Sequence, residues 1–469
     1  MLLDKKSNFD YVTFILYTFL VLGGMLMLYV VERPPDGYTQ DLAGMLDTFV
    51  GKQFVWLIIS LGAWFVINTL VDRDVWIIGA YPVYGITVLL LILVLVLGKE
   101  INNARSWFSL FGFTFQPGEL AKFGTCLAMA AFLSQWTEKM DRVRTIGYGV
   151  LIWAVPAVLI VLQPDPGTAL VFTSFFLVMY REGLPGLLLL FGLFTAAMFL
   201  MGTVWGPGIL TTGLLSLLLV VMSFYAPRRY RWWLVGSLII AGAAFFLYRE
   251  GYKWPVLGGL AGSYALAAGY HLLRRNGRMV LLTTTALVWG TLIVVLSDFT
   301  FNNVLRPHQQ NRIKAWLDPG ELSEQGALYN IVQSKMAIAG GGLSGKGRFG
   351  GTMTKYDYVP EQETDFIFSV VGEAEGFLGS FAVIIGFLAL LWRITVIAER
   401  QPRTFTRAYA YGVAGIIFLH MLVNIGMTMG LMPVIGIPLP FISKGGSSLL
   451  SFTIMLAVLL KFDRHRKEV

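Results

Sequence analysis

The sequence predicts an all-α polytopic membrane protein of about fourteen transmembrane helices, with a large external loop ahead of Asp365. Three observations carry that expectation. Of 469 residues, 56% are hydrophobic and only 14% charged, a balance that ordinary water-soluble domains do not show. Apolar runs begin at 11–31 and recur with short interruptions as far as Leu460, most of them long enough to cross a hydrocarbon core of about 30 Å as helices. Basic clusters alternate with these runs. If the N-terminus is cytoplasmic, Lys5-Lys6, 139–144, Arg228-Arg229-Arg231, Arg274-Arg275-Arg278, 393–407 and 461–467 all fall on the inner side, which is the positive-inside pattern.

Taken in order, the first apolar run passes straight into Val31-Glu32-Arg33-Pro34-Pro35 without a small-x-small cleavage site and is read as a retained helix. The opposite face then receives the loop after Leu97, the Gln163-Pro164-Asp165-Pro166 turn, a long segment over 298–365, and the stretch 433–446. Between the second and third of these, residues 184–278 hold about four spans, broken at 202–208, 228–231, 249–253 and 274–278. None of those breaks combines acids and cations as the flanking outer turns do, so the inserted helices are expected to face lipid or a partner. The segment 298–365 is mixed: 326–339 is apolar enough for a helix or a re-entrant element, and 340–351 is glycine-rich. A loop of that length within a compact fold is usually functional. No internal repeat or low-complexity linker stands out, so 1–469 reads as one integral membrane domain.

Composition also excludes several functions. One cysteine, Cys126, allows neither a disulfide framework nor a thiolate metal site. The four histidines are scattered, and His420, alone within a span, suits a buried hydrogen-bonded residue better than a ligand; no metal or other cofactor is assigned. The net charge of +8 is distributed between spans and forms no single basic face, so it reads as membrane orientation and not nucleic-acid binding.

The chemistry-bearing residues gather at the outer ends of the spans. Asn102-Asn103-Ala104-Arg105-Ser106-Trp107 precedes Gln116-Pro117-Gly118-Glu119-Leu120-Ala121-Lys122. Glu119 and Lys122 are three apart, share a helix face and can neutralise each other; a functional pair and an ion pair that fixes helix packing are both open readings. Trp107 suits an interfacial anchor and Arg105 a headgroup contact. Asp165 followed by Pro166 suits a helix N-cap with proline at the first helical position. The run Gly340 through Lys346 matches the start of a P-loop, but Gly347 stands where Ser or Thr must bind magnesium, and no strand precedes it. Its amides with Lys346 and Arg348 could still cradle a diphosphate; a plain mobile loop is the alternative. Glu361, Glu363 and Asp365 crowd three acids into five residues before a long apolar helix that carries Glu373 and Glu375. Asp365 suits either the N-cap of that helix or a general base, crowding being one way to raise a carboxyl pKa. Finally, Asn424-Ile425-Gly426-Met427 precedes Gly436-Ile437-Pro438-Leu439-Pro440-Phe441-Ile442-Ser443-Lys444-Gly445-Gly446, a rigid turn tolerable at membrane depth where it lines a cavity or packs on protein.

These motifs, in this order, resemble the SEDS (shape, elongation, division and sporulation) proteins over roughly 10–181 and 280–461. Gly345-Lys346-Gly347 followed by Gly351-Thr352 resembles the RodA branch more than the FtsW branch. The resemblance implies a SEDS-like helical bundle in the bacterial inner membrane, both termini cytoplasmic. It implies a peptidoglycan glycosyltransferase that uses lipid II on the periplasmic face and works with a class B penicillin-binding protein. The family's essential aspartate falls on Asp365, its loop tryptophan on Trp107, its charged pair on Glu119 and Lys122, and its P-D-x-G-T turn on Asp165, Gly167 and Thr168. The chain departs from the pattern at Asn103, at Gly118 for serine, at Glu363 for histidine and at Lys444 for tyrosine, and residues 184–278 exceed the usual ten spans.

The chemistry so implied is attack by a sugar hydroxyl on an anomeric carbon that bears a polyprenyl diphosphate, with inversion. One carboxylate suffices as base, because the diphosphate leaves readily when cations meet its charge. Asp365 is the expected base. Arg105, Arg306, Lys346 and Lys444 are candidate diphosphate contacts, and Glu361 and Glu363 either modulate the base or bind glycan hydroxyls. A lipid II flippase and a non-catalytic scaffold of the elongation machinery are the rival readings.

Overall fold

The computed structural model describes residues 9–32, 48–101, 104–110, 113–135, 140, 142–203, 205–226, 232–317 and 326–466. Lys5-Lys6, Asn102-Asn103, Lys139, Arg228-Arg229-Arg231 and Lys467 lie outside the described residues. The chain divides into two compact units, 1–185 with 323–469, and 186–322.

The first unit opens with α1 (Tyr11–Glu32), α2 (Phe49–Thr69), the short α3 (Arg73–Ile78) and α4 (Ala80–Leu97). A small antiparallel sheet follows, β1 (Lys99–Ile101), β2 (Ala104–Leu110) and β3 (Phe113–Phe115), with Glu100 opposite Arg105 and Phe108 opposite Phe115. It leads into α5 (Pro117–Gln135), α6 (Val143–Val161), and a broken helix made of α7 (Pro166–Val171), a 3-10 turn and α8 (Phe175–Arg181). The second unit holds α9 (Gly186–Gly202), α10 (Pro207–Phe224), α11 (Trp232–Arg249), α12 (Lys253–Leu273) and α13 (Gly277–Asn303) around a core that includes Leu214, Leu218, Met222, Leu260 and Val294, followed by α14 (Pro307–Leu317). The chain returns to the first unit with α15 (Ala327–Gly340), α16 (Thr352–Lys355), α17 (Ile367–Glu399), α18 (Thr404–Thr428) and α19 (Gly446–Arg464).

Eleven of the described helices are long and apolar enough to cross a membrane. Fourteen spans were expected; α9 is shorter, α7 and α8 are interrupted, and α5 is not among the eleven. The last case has a physical reason. α5 is buried over most of its length and packs against α4, α6, α18 and α19, so protein and not lipid surrounds it, and Gly, Ala, Thr and a charged pair replace the usual leucines. α18 and α19 are likewise mostly enclosed.

α17 breaks at Gly376, whose φ of 66° and ψ of −157° lie outside the helical region. The glycine-rich loop fills that break: Lys346 and Gly347 donate their N–H groups to the carbonyls of Glu373 and Ala374 at 3.0 and 3.1 Å, while Phe377 and Leu378 donate to Gly342 and Leu343 at 2.9 and 3.1 Å. A β-carbon on Gly376 would collide with Gly345 N, and one on Gly345 with Ala374 O. The glycines thus let two strands of main chain approach, and the loop mends a kinked helix.

At the far end of α17, Arg393 and Arg400 clasp Asp10, and Arg400 also binds Asp463 of α19. Burial pushes the Asp10 carboxyl up, but hydrogen bonds from Arg393, Thr13 and Arg400 outweigh it and hold that carboxyl well below the usual range.

Candidate active site

The run 361–366 forms a turn in which Thr364 and Phe366 donate backbone N–H groups to Glu361 O at 3.2 and 3.1 Å. Glu361 itself adopts φ 57°, and its Oε2 accepts from Thr364 Oγ1 at 3.0 Å. The N-cap of α17 falls on Phe366, so Asp365 stands one residue outside the cap, half-buried.

The stretch 433–445 holds that turn in place. Ser443 Oγ donates to Thr364 O at 2.6 Å, and Lys444 donates its N–H to Glu363 O at 2.8 Å. Asn424 of α18 donates to Asp365 O at 2.9 Å and to Ile437 O at 2.7 Å. Gly436 adopts φ 80°, and a β-carbon there would stand 3.1 Å from Asp365 Oδ2. The carboxylate therefore lies against bare main chain. Lys444 Nζ lies 3.4 Å from Glu363 Oε1 and 3.5 Å from the Phe49 ring centroid, part-exposed, and Gly445 donates to Gln53 Oε1 of α2 at 3.1 Å.

On the other side of the same stretch lies the Asp165 turn, where a β-carbon on Gly167 would meet Ile435 O at 3.0 Å. Asp165 caps α7 through Thr168 N at 3.0 Å, with Pro166 at the first helical position. Its second oxygen accepts from Thr168 Oγ1 and from Gln116 Nε2, each at 2.8 Å, which pins the entry to α5. Three separated motifs thus meet at 435–437.

Beneath them lies a closed polar string. Lys122 Nζ sits 2.8 Å from Glu119 Oε1 and 2.8 Å from His420 Nε2, and all three side chains are at most 2% exposed. His420 Nδ1 lies 3.0 Å from Pro438 O. A carbonyl only accepts, so Nδ1 carries the proton and donates; Nε2 then accepts from the Lys122 ammonium.

The remaining candidates are placed as follows. Trp107 and Arg105 lie on β2, Trp107 opposite Lys99 and Arg105 exposed opposite Glu100. Lys346 Nζ binds Glu373 Oε1 at 3.1 Å, and Glu373 also accepts from the N–H groups of Met353 and Thr354 at the start of α16; Arg348 pairs with Glu375. Both loop cations therefore answer acids on α17. Arg306 belongs to the second unit, exposed, its N–H donating to Gln309 Oε1 at 3.0 Å. Asp357, beside Gln362, has its carboxyl pushed up, first by burial and then by the Glu363 charge. Among the described residues no cluster of three or more His, Cys, Asp or Glu could hold a metal ion. The sequence places Asn424 and Ser443 in a motif that lines a cavity or packs on protein but gives neither a partner, and does not single out Gln53; Asn424 and His420, four apart, share one helix face.

A family model described as cell cycle protein, FtsW/RodA/SpoVE, matches residues 11–205 and 272–468. The chain belongs to that family. The match omits 206–271, which carries α10, α11 and nearly all of α12. Among relatives, "Peptidoglycan glycosyltransferase RodA" of Treponema pallidum is 29% identical over 98% of both chains. "Peptidoglycan glycosyltransferase MrdB" of Escherichia coli is 28% identical over 91% of this chain and 88% of its own. Of solved structures, one from a peptidoglycan synthase complex, described as coordinating polymerization and crosslinking, superposes with a TM-score of 0.64 at 25% identity, covering 98% and 99% of the two chains. The crystal structure of Thermus thermophilus rod shape determining protein RodA matches at a TM-score of 0.55 and 24% identity over 99% of each, which supports the fold. Against the SEDS pattern, the departures at Glu363 and Lys444 prove to face each other as an ion pair.

Proposed function

We propose that the chain polymerises lipid II into peptidoglycan glycan strands during cell elongation, by inverting transfer with Asp365 as general base. That it is a glycosyltransferase of the RodA type, multi-pass in a bacterial membrane, follows from its family, its relatives and its eleven apolar helices. The observation that carries the mechanism is the placement of Asp365, half-buried against the main chain of Gly436, where the 163–168, 361–366 and 433–445 segments converge. A sugar hydroxyl hydrogen-bonded to this carboxylate gives up its proton as its oxygen attacks the anomeric carbon. The bond from that carbon to the diphosphate oxygen breaks, and the diphosphate leaves with the electron pair. Lys444, tethered by Glu363 and Phe49, is the cation best placed to meet that charge. Lys346 is already engaged by Glu373, so the lysine of the glycine-rich loop serves the fold first. Arg105, Trp107 and Glu361 supply further contacts to lipid or glycan, and the partner is a transpeptidase of the class B penicillin-binding type.

The flippase reading is disfavoured by the Glu119–Lys122–His420 string, whose charges pair with each other and are enclosed by protein. The purified chain with its partner, supplied with lipid II in proteoliposomes, is expected to yield glycan strands when the transpeptidase site is blocked. Movement of lipid II between leaflets without strands would refute the enzyme reading.

Counting α5, α9 and the broken α7–α8 as spans adds three to the eleven and gives fourteen, with both termini cytoplasmic and Asp365 periplasmic. A thiol probe that cannot cross the membrane should then label cysteines placed at Gly206 and Gly251 but not at Arg229 or Gly277. Labelling at Gly277 from outside would overturn that sidedness.

A further inference from the structure

Asp365 precedes its helix, and its carbonyl accepts a hydrogen bond from a residue of another helix. The group that holds it comes from another element. Asn424, fully buried on α18, spends one amide proton on Asp365 O at 2.9 Å and the other on Ile437 O at 2.7 Å. A single planar carboxamide thereby joins the main chain of the 361–366 turn to that of the 433–445 turn. One helical turn earlier, His420 binds the next carbonyl, Pro438 O, at 3.0 Å and is itself braced by Lys122 at 2.8 Å. Consecutive carbonyls are thus held by residues four apart on one rigid helix.

We infer that Asn424 is a positioning residue, setting the distance between Asp365 and the Gly436 main chain, with His420 and Lys122 as its footing. The inference rests on Asp365 being the base. Asn424 lies one carbonyl away from the reacting side chain and touches no substrate in this account, so its removal acts on the placement of the carboxylate. Misplacement by about 1 Å is enough to cost roughly 100-fold in rate.

The test uses the full-length protein with its partner and lipid II, comparing Asn424→Ala, Asn424→Ser and Asp365→Asn for kcat, KM and thermal unfolding in detergent. Asn424→Ala removes both donors and is expected to lower kcat by about 100-fold, with KM changed by less than about threefold. Asn424→Ser keeps one hydroxyl donor, enough for one of the two carbonyls, and should recover part of kcat. That graded return separates positioning from a merely structural role, and the serine variant carries the test should the alanine variant fail to fold. Wild-type kcat in Asn424→Ala, a loss confined to KM, or a serine variant no better than alanine would overturn the inference. Full activity in Asp365→Asn would instead remove the base on which it rests, a distinguishable failure.

Discussion

Neutralising either member of the Glu119–Lys122 pair is expected to cost on the order of 3 to 5 kcal/mol, read as a collapse of thermal stability or activity of the purified protein. The pair is 2.8 Å apart, and both side chains are at most 2% exposed. Lys122→Met removes the cation that binds Glu119 Oε1, and Glu119 Oε2 has no hydrogen-bond partner among the described residues. Glu119→Gln leaves the Lys122 ammonium facing the Phe452 ring at 5.2 Å and His420 Nε2 at 2.8 Å, with its paired carboxylate gone and only the charge of Asp165, which makes no ion pair with it, to offset its own. The same changes loosen Pro438 through His420, so activity falls with stability. Exchanging the two, Glu119→Lys with Lys122→Glu, should restore part of the loss, because the charges cancel again although the ammonium no longer reaches the histidine. Independent, additive effects of the two single changes would contradict a coupled pair.

The sequence carried most of the fold and only part of the site. Helix positions were legible because lipid demands long apolar runs, and Asp165 was legible as a cap because aspartate before proline has few other uses at a helix start. The pairing of Glu119 with Lys122 followed from their spacing. What spacing along one helix does not show is contact between elements. Nothing local indicates that His420, some 300 residues away in sequence, completes the Lys122 pair, or that Asn424 ties Asp365 to Ile437. The glycine-rich loop shows the same limit: its sequence leaves a diphosphate cradle and a plain mobile loop both open, and does not show that Glu373 and Glu375 pair with Lys346 and Arg348. The β1–β2–β3 hairpin was missed because its strands are only three to seven residues long, too short for a period-2 pattern. Conversely, the two departures from the family pattern that looked independent, Glu363 and Lys444, make sense together, since each supplies the other's counter-charge.

The most direct measurement of the central claim is strand synthesis by Asp365→Asn. Asparagine keeps a side-chain oxygen that can accept at a helix start, and the Asp365 main chain keeps its bond from Asn424. Asparagine nearly matches aspartate in shape, so the variant should remain inserted, monodisperse and as heat-stable as the wild type. What it loses is the ability to take a proton from the attacking hydroxyl, an effect of about 100- to 10,000-fold in rate. Incubated with lipid II and the partner transpeptidase, the variant is predicted to bind substrate yet form strands at least about 100-fold more slowly than the wild type. Strand synthesis at the wild-type rate by well-folded Asp365→Asn protein would contradict the assignment of Asp365 as the base.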